Sequence, residues 1–199
     1  MVRTPQHHPL SVICIVTLNP VTILRMITKA LLHVVLAQYQ LPYYGIHGID
    51  HWARVLENGR RLSQETGARL EVVELFALFH DVRRKNEHTD FHHGRRGADL
   101  AASLRGTWID LDPHHFELLY HACEYHTRGL TEGDVTVQTC WDADRLDLGR
   151  AGITPHQFFL CTTPAKNPAI IAWANTRSRA KIIPAWISTE WEPLPQSGI

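Results

Sequence analysis

The stretch FALFHDVRRKNEH, residues 76–88, sets a histidine and an aspartate side by side at the end of an apolar run. Val72, Val73 and Leu75 through Phe79 lead into His80 and Asp81, after which the chain turns basic and polar. A run of that composition reads as buried. A carboxylate at its edge costs on the order of several kcal/mol unless it is paired, hydrogen-bonded or bound to a metal. Imidazole is the commonest metal ligand and titrates near neutral pH. The chain contains 14 histidines, so the partners of Asp81 are sought first among them.

Helical periodicity nominates three further groups. His80 shares a stripe with Val73, Phe76 and Ala77, and His51 shares one with Val55 and Leu62. His126 aligns with His115, Leu119 and Ala122, and Asp144 with Val137, Cys140, Trp141 and Leu148. Asp142 instead faces Gln138, Thr139 and Arg145, which makes it the weaker candidate for an inward role. A single histidine on an apolar helix face is ordinarily a hydrogen-bonded core residue. Four such helices, each contributing only His or Asp, are satisfied together by one divalent metal, because mixed imidazole and carboxylate ligation suits first-row ions. Successive residues at a helix end point about 100° apart. His80 and Asp81 can therefore address one ion from two directions, or Asp81 can reach a second ion.

The elements that must position these groups all read as helices. Apolar residues at Ile23, Ile27, Leu31, Val34 and Val35 follow helical spacing, and Pro42 stops that helix. Further helices are expected over 50–66 with Asp50 as N-cap and Gly67 after its end, and over 71–81 and 95–104. Others are expected over 112–126, with Asp112 as N-cap and Pro113 in the first turn, and over 135–149 and 168–180. No strand alternation, hairpin dipeptide or internal repeat is present. The fold class is all-α, a bundle of six or more helices. Residues 1–25 read as an extension outside the fold, 26–155 as the helical unit and 156–199 as an irregular proline-rich tail. The segment TPAKNPA in that tail either covers the pocket or packs outside it.

Composition narrows the classes. The chain has 199 residues, 44% of them hydrophobic, enough to bury a core. Its 20 basic and 20 acidic residues cancel, which gives no bulk-charge support for coating a nucleic acid polymer or a membrane surface. The apolar stretch 10–18 and that at 31–37 are interrupted by Asn19, Pro20, Arg25 and Lys29. Neither reaches the ~18–20 uninterrupted residues of a spanning helix. Cys14, Cys123, Cys140 and Cys161 are widely spaced and contain no CxxC, so reduced thiols and a cytoplasmic location are expected. Trp52, Trp108 and Trp141 read as core.

The ordered set HWARV at His51, HD at His80-Asp81, HGRRGADLA from His93, YHT at His126 and DADRLD from Asp142 resembles the HD-domain superfamily of metal-dependent phosphohydrolases. The resemblance covers residues 31–155. It implies an HD-type helical bundle whose metal ligands are His51, His80, Asp81 and, in ADRLD, Asp144. Members with two metals add histidines between the pair and the last aspartate, which nominates His93 and His126 here. Asp81 would then bridge two ions. His88, His92 and His121 are left solvated or outside the ligand set. The implied cofactor is one or two divalent transition metals (Mn, Ni, Co, Zn or Fe), and the implied activity is hydrolysis of a phosphomonoester or phosphodiester, with nucleotides among the expected substrates. A small phosphate ester is therefore the expected partner. The basic loop after the pair supplies Arg84 or Lys85 for phosphate capture. Glu87 reads as surface charge or as a proton carrier, and His47 as a loop residue at the mouth of the pocket. Di-iron oxygen chemistry and a non-catalytic metal- or nucleotide-binding scaffold are the alternatives.

Overall fold

The structure, a computed structural model, describes residues 26–191. Ile23 and the expected extension over 1–25 lie outside the described residues, as does the end of the tail over 192–199. Among the described residues there are seven helices of two turns or more, a single-turn eighth, and no strand beyond an isolated bridge between Arg105 and Ile109. In chain order these are α1 (Lys29–Leu36), α2 (Ile49–Thr66), α3 (Leu70–Phe79), α4 (His93–Leu104), α5 (Pro113–Tyr125), α6 (Val135–Arg145), α7 (Pro168–Arg179) and α8 (Ile187–Glu190). None is long and apolar enough to cross a membrane.

The local chemistry of each end explains the boundaries. Asp112, Asp134 and Asn167 cap α5, α6 and α7 by accepting from the backbone N–H two residues on. Pro113 and Pro168 occupy first-turn positions, where a missing N–H costs nothing. Gly67 ends α2 in the left-handed conformation, with φ 72°. Two starts differ from the sequence reading. Thr28, not a residue near Ile23, caps α1, its hydroxyl accepting from Leu31 N. Gly48 rather than Asp50 precedes α2, which leaves Asp50 in its first turn. Helix α6 stops at Arg145 and gives way to a 3-10 turn, Leu148–Ala151.

Helix α3 is the centre of the bundle. It packs against α1, α2, α4, α5 and α6, and every residue from Val72 to Phe79 is buried. Even Glu74 is buried, and Arg60 Nε donates to its carboxylate at 2.8 Å. The apolar run thus ends in the interior, and His80 and Asp81 follow the last helical residue without reaching solvent. Trp52 and Trp141 are core residues as expected. Trp108 is 42% exposed and does not belong to the core.

A second, smaller apolar cluster joins Leu62 and Leu146 to Leu160, Ala165, Ile170 and Ala174 of the tail. Its anchor is Asp142, which is fully buried against the sequence reading. Asp142 accepts from Cys161 N at 2.7 Å and from both Thr162 N and Thr162 Oγ1 at 2.8 Å. TPAKNPA contributes Ala165 to this cluster and the Asn167 cap to α7. That segment packs against the second cluster instead of closing over Asp81.

Glycines let α4 reach the centre. A Cβ on Gly94 would lie 2.2 Å from Cys123 O and 2.9 Å from His126 Nδ1. A Cβ on Gly97 would lie 2.1 Å from Phe79 O. The HGxxG spacing therefore brings α4 onto the ends of α3 and α5 at backbone distance. An unhindered helical Gly→Ala change stabilises by about 1 kcal/mol. Gly97→Ala should do the reverse and destabilise by about 1–3 kcal/mol through overpacking. Denaturant unfolding of the two proteins checks this, and a more stable variant would disprove the close approach.

Candidate metal centre

His51 from α2, His80 and Asp81 after α3, His93 at the start of α4, His126 after α5 and Asp144 on α6 converge. All but Asp144 are at most 4% exposed, and Asp144 is 14% exposed. The tautomers follow from the outer partners. His51 Nδ1 lies 2.7 Å from Asp147 Oδ2. His80 Nδ1 faces the carbonyls of Phe76 and Ala77 at 3.1 and 3.2 Å. His126 Nδ1 lies 2.7 Å from Cys123 O, and His93 Nδ1 contacts Asp90 O. Each of these partners can only accept, so each Nδ1 donates. In the neutral rings Nε2 then carries a lone pair.

Those lone pairs meet. His51 Nε2 and His80 Nε2 are 3.0 Å apart, and His93 Nε2 and His126 Nε2 are 2.9 Å apart. Neither pair of neutral rings has a proton to share. Asp81 adds negative charge to both. Its Oδ2 lies 3.6 Å from His51 and 3.7 Å from His80, and its Oδ1 lies 3.0 Å from His93 and 3.6 Å from His126. Asp144 Oδ1 is 3.4 Å from His51 Nε2 and has no hydrogen-bond partner. Lone pairs and carboxylates brought this close together could hold a metal cation. Atoms about 2.1 Å from an ion are about 3.0–3.4 Å from their neighbours in octahedral or tetrahedral ligation. The separations of 2.9, 3.0, 3.0 and 3.4 Å match that spacing, whereas those from Asp81 Oδ2 to His51 and His80, from Asp81 Oδ1 to His126 and from Asp144 to His80 are wider, at 3.6–3.9 Å. His51, His80 and Asp144 form one group, Asp81, His93 and His126 a second, and His47, His51 and Asp81 a third that links them.

Electrostatics favours the ligating forms. Burial pushes the His80 imidazole down to about 3, against the opposing pull of Asp81 and Asp144. Burial acts to raise Asp81, but His80, His126, His47 and His51 hold it well below the usual carboxylate range. Asp144 is likewise pushed up by burial and carried below that range by Arg150, His80 and His51. Burial pushes His126 down, yet the neighbouring Asp81 raises it above the ordinary imidazole value. Without an ion, a proton on His126 is the cation that the second group attracts.

Supporting residues escaped the ligand reading. Asp147 receives the His51 proton and a bidentate contact from Arg54, with Nε at 2.7 Å and Nη2 at 3.2 Å. Arg150 lies 3.7 Å from both Asp144 and Asp147, while Arg145 bonds carbonyls at Phe159 and Leu130 and does not pair with Asp142. Part of the signal was available: Arg54 follows His51 by three residues on α2 and shares its face, whereas Asp147 lies just past the end of α6. His47 Nδ1 donates to Asp81 Oδ2 at 2.7 Å, and its Nε2 lies 3.9 Å from Glu87, whose buried carboxylate oxygens have no hydrogen-bond partner. Glu87 is therefore more than surface charge.

Arg84 is buried, with Nη1 3.4 Å from Asp81 Oδ1. That nitrogen lies 3.1 Å from His93 Nε2 and 3.4 Å from His93 Nδ1. Near-equal distances to both ring nitrogens put it against the ring, off the Nε2 lone-pair direction, so the lone pair stays available. Lys85 is exposed, and its side chain contacts none of the cluster. His88, His92 and His121 are also exposed. Among the described cysteines, Cys123, Cys140 and Cys161 are free.

The chain matches no protein-family model, no curated protein and no solved structure.

Two outcomes are expected. Asp147→Ala should weaken metal binding about 10–100-fold although Asp147 is not a ligand, because it orients His51; competition against a metal-sensitive dye measures this. In metal-free protein His80 accepts a proton only near pH 3 when folded but near 6.5 when unfolded. The unfolded chain thus binds more protons in that window, and His80 makes stability fall as pH drops. The slope of unfolding free energy against pH between about 6.5 and 4.5 should be shallower in His80→Gln by up to one proton.

Proposed function

We propose that this chain is a metal-dependent phosphohydrolase of the HD type, acting on a small phosphomonoester or phosphodiester. The observation that carries the reading is the pair of facing Nε2 contacts, at 3.0 and 2.9 Å, on either side of Asp81. Buried lone pairs so placed have no purpose in a plain core. A bound divalent ion would lower the pKa of water at the site toward ~7 and offset charge on a phosphoryl group.

The residues of the chain divide the remaining work. His51, His80, Asp144 and Asp81 Oδ2 would hold one ion. His93, His126 and Asp81 Oδ1 would hold a second. His47 fixes the Asp81 carboxylate from the loop before α2. Arg84 Nε and Nη2 donate to Asn86 O and His88 O, which clamps the basic loop over Asp81 and leaves Nη1 facing the cluster. Arg84, rather than Lys85, is therefore the residue placed to meet a phosphate oxygen. Glu87, 3.9 Å from His47 Nε2, is placed to take up a proton from that ring.

Elemental analysis of protein purified without chelator should give one or two Mn, Co, Ni or Zn per chain, lost in Asp81→Ala. The loaded protein should hydrolyse members of a broad phosphate-ester panel. Metal binding without turnover across that panel would favour a regulatory scaffold. Two irons per chain with an oxygen-dependent spectral change would favour the di-iron alternative. Absence of any metal after reconstitution would sink the reading.

A further inference from the structure

A small cavity of about 170 Å³ is lined by Tyr44, Ile46, Asp50, Arg54, Arg150 and Lys181 among others. Its cations come from three separate segments: α2, the 3-10 turn after α6, and the residue following Ala180 at the end of α7. Arg54 is 4% exposed and gives Nε and Nη2 to Asp147, but its Nη1 has no hydrogen-bond partner. Arg150 gives Nε to Ile46 O and Nη1 to Asp147 O, both at 3.0 Å. The Lys181 ammonium makes no hydrogen bond or ion pair to any described residue, and its backbone has a φ of 51°, where glycine is the usual occupant.

Asp147 is engaged by both arginines and by His51, and Asp144, 3.7 Å from Arg150, faces the metal centre. Asp50 is the acid on the lining itself, beside Arg54 and Lys181. A buried guanidinium donor without a partner, beside a lysine and a second arginine, is the inner wall of a site for a negative group. At ~30 Å³ per water the cavity has room for about five waters. A phosphate or carboxylate head fits that space.

We propose that this cavity binds a small oxyanion. The inference does not rest on the phosphohydrolase reading. Asp50 is placed to accept from the hydroxyl of a singly protonated phosphate, while Arg54, Arg150 and Lys181 meet its charged oxygens. Arg54 and Arg150 also contact Asp147, so occupancy of the cavity and the orientation of His51 share the same two side chains.

Titration calorimetry of inorganic phosphate, and separately of acetate, into the full-length protein tests the inference. Lys181→Gly removes the ammonium and suits the local backbone, so this variant should fold. Phosphate affinity should drop about tenfold or more in Lys181→Gly, return in Lys181→Arg and persist in Asp81→Ala. Binding of acetate at the same site would assign a carboxylate, and discrimination against it would assign a phosphate. No binding to the wild-type chain, or binding unchanged in Lys181→Gly, overturns the proposal. Phosphate binding lost in Asp81→Ala but intact in Lys181→Gly would put the anion on the metal centre; it would end this inference and leave the phosphohydrolase reading standing. Lys181-dependent binding in a chain that takes up no metal would do the opposite.

Discussion

The Asp81 carboxylate, 2% exposed and ringed by imidazoles, is the constraint around which the bundle is arranged. A charge at that depth is tolerable only if its neighbours are fixed. The fixing is done by backbone groups that a helix leaves over at its end. His80 and His126 each follow the last residue of a helix, α3 and α5, and each turns Nδ1 back onto carbonyls of that helix's final turn. These carbonyls of the last turns thereby set the ring orientation and aim Nε2 inward, Phe76 O accepting from both His80 N and the His80 ring. Asp90 O does the same for His93 from the loop before α4, and the Asp147 carboxylate does it for His51 from the turn after α6.

Much of this was legible in the sequence because the bundle follows helical periodicity closely. The stripe of Val73, Phe76 and Ala77 foretold the burial of His80, and that of Val137, Cys140 and Trp141 brought Asp144 to the same point. The reading of Asp142 failed for a definite reason. Periodicity distinguishes one face of α6 from another but assumes that the face away from the main core meets water. Here that face meets the tail, whose backbone N–H groups at Cys161 and Thr162 need an acceptor. A contact between residues 19 and 20 positions apart across an irregular segment leaves no periodic trace. The choice between Arg84 and Lys85 stayed open in the sequence, since loop conformation decides which of two adjacent cations turns inward.

Helix α6 and the turn after it carry three carboxylates with separate surroundings. Asp142 holds the tail, Asp144 faces the histidines and Asp147 joins His51 to Arg54. Asp144 is the member of this set with an oxygen lacking a hydrogen-bond partner. Satisfaction of the other two explains why they are structural: a carboxylate that already accepts from several donors has little left to offer an ion. The same contrast separates Glu74, neutralised by Arg60, from Glu87, whose buried oxygens have no hydrogen-bond partner.

The converging groups are distant along the chain, running from His51 to Asp144 with His80, Asp81, His93 and His126 between them. No local segment contains a complete set, since α2 and α6 must both be docked on α3 before His51 and Asp144 meet. Such long-range contacts form late, after the loop-closure entropy of the intervening chain has been overcome. During synthesis, the first group cannot close until α6 has emerged. An ion captured there would be a marker of completed folding, and the apo chain would keep its histidines apart from stray metal until the whole bundle had assembled.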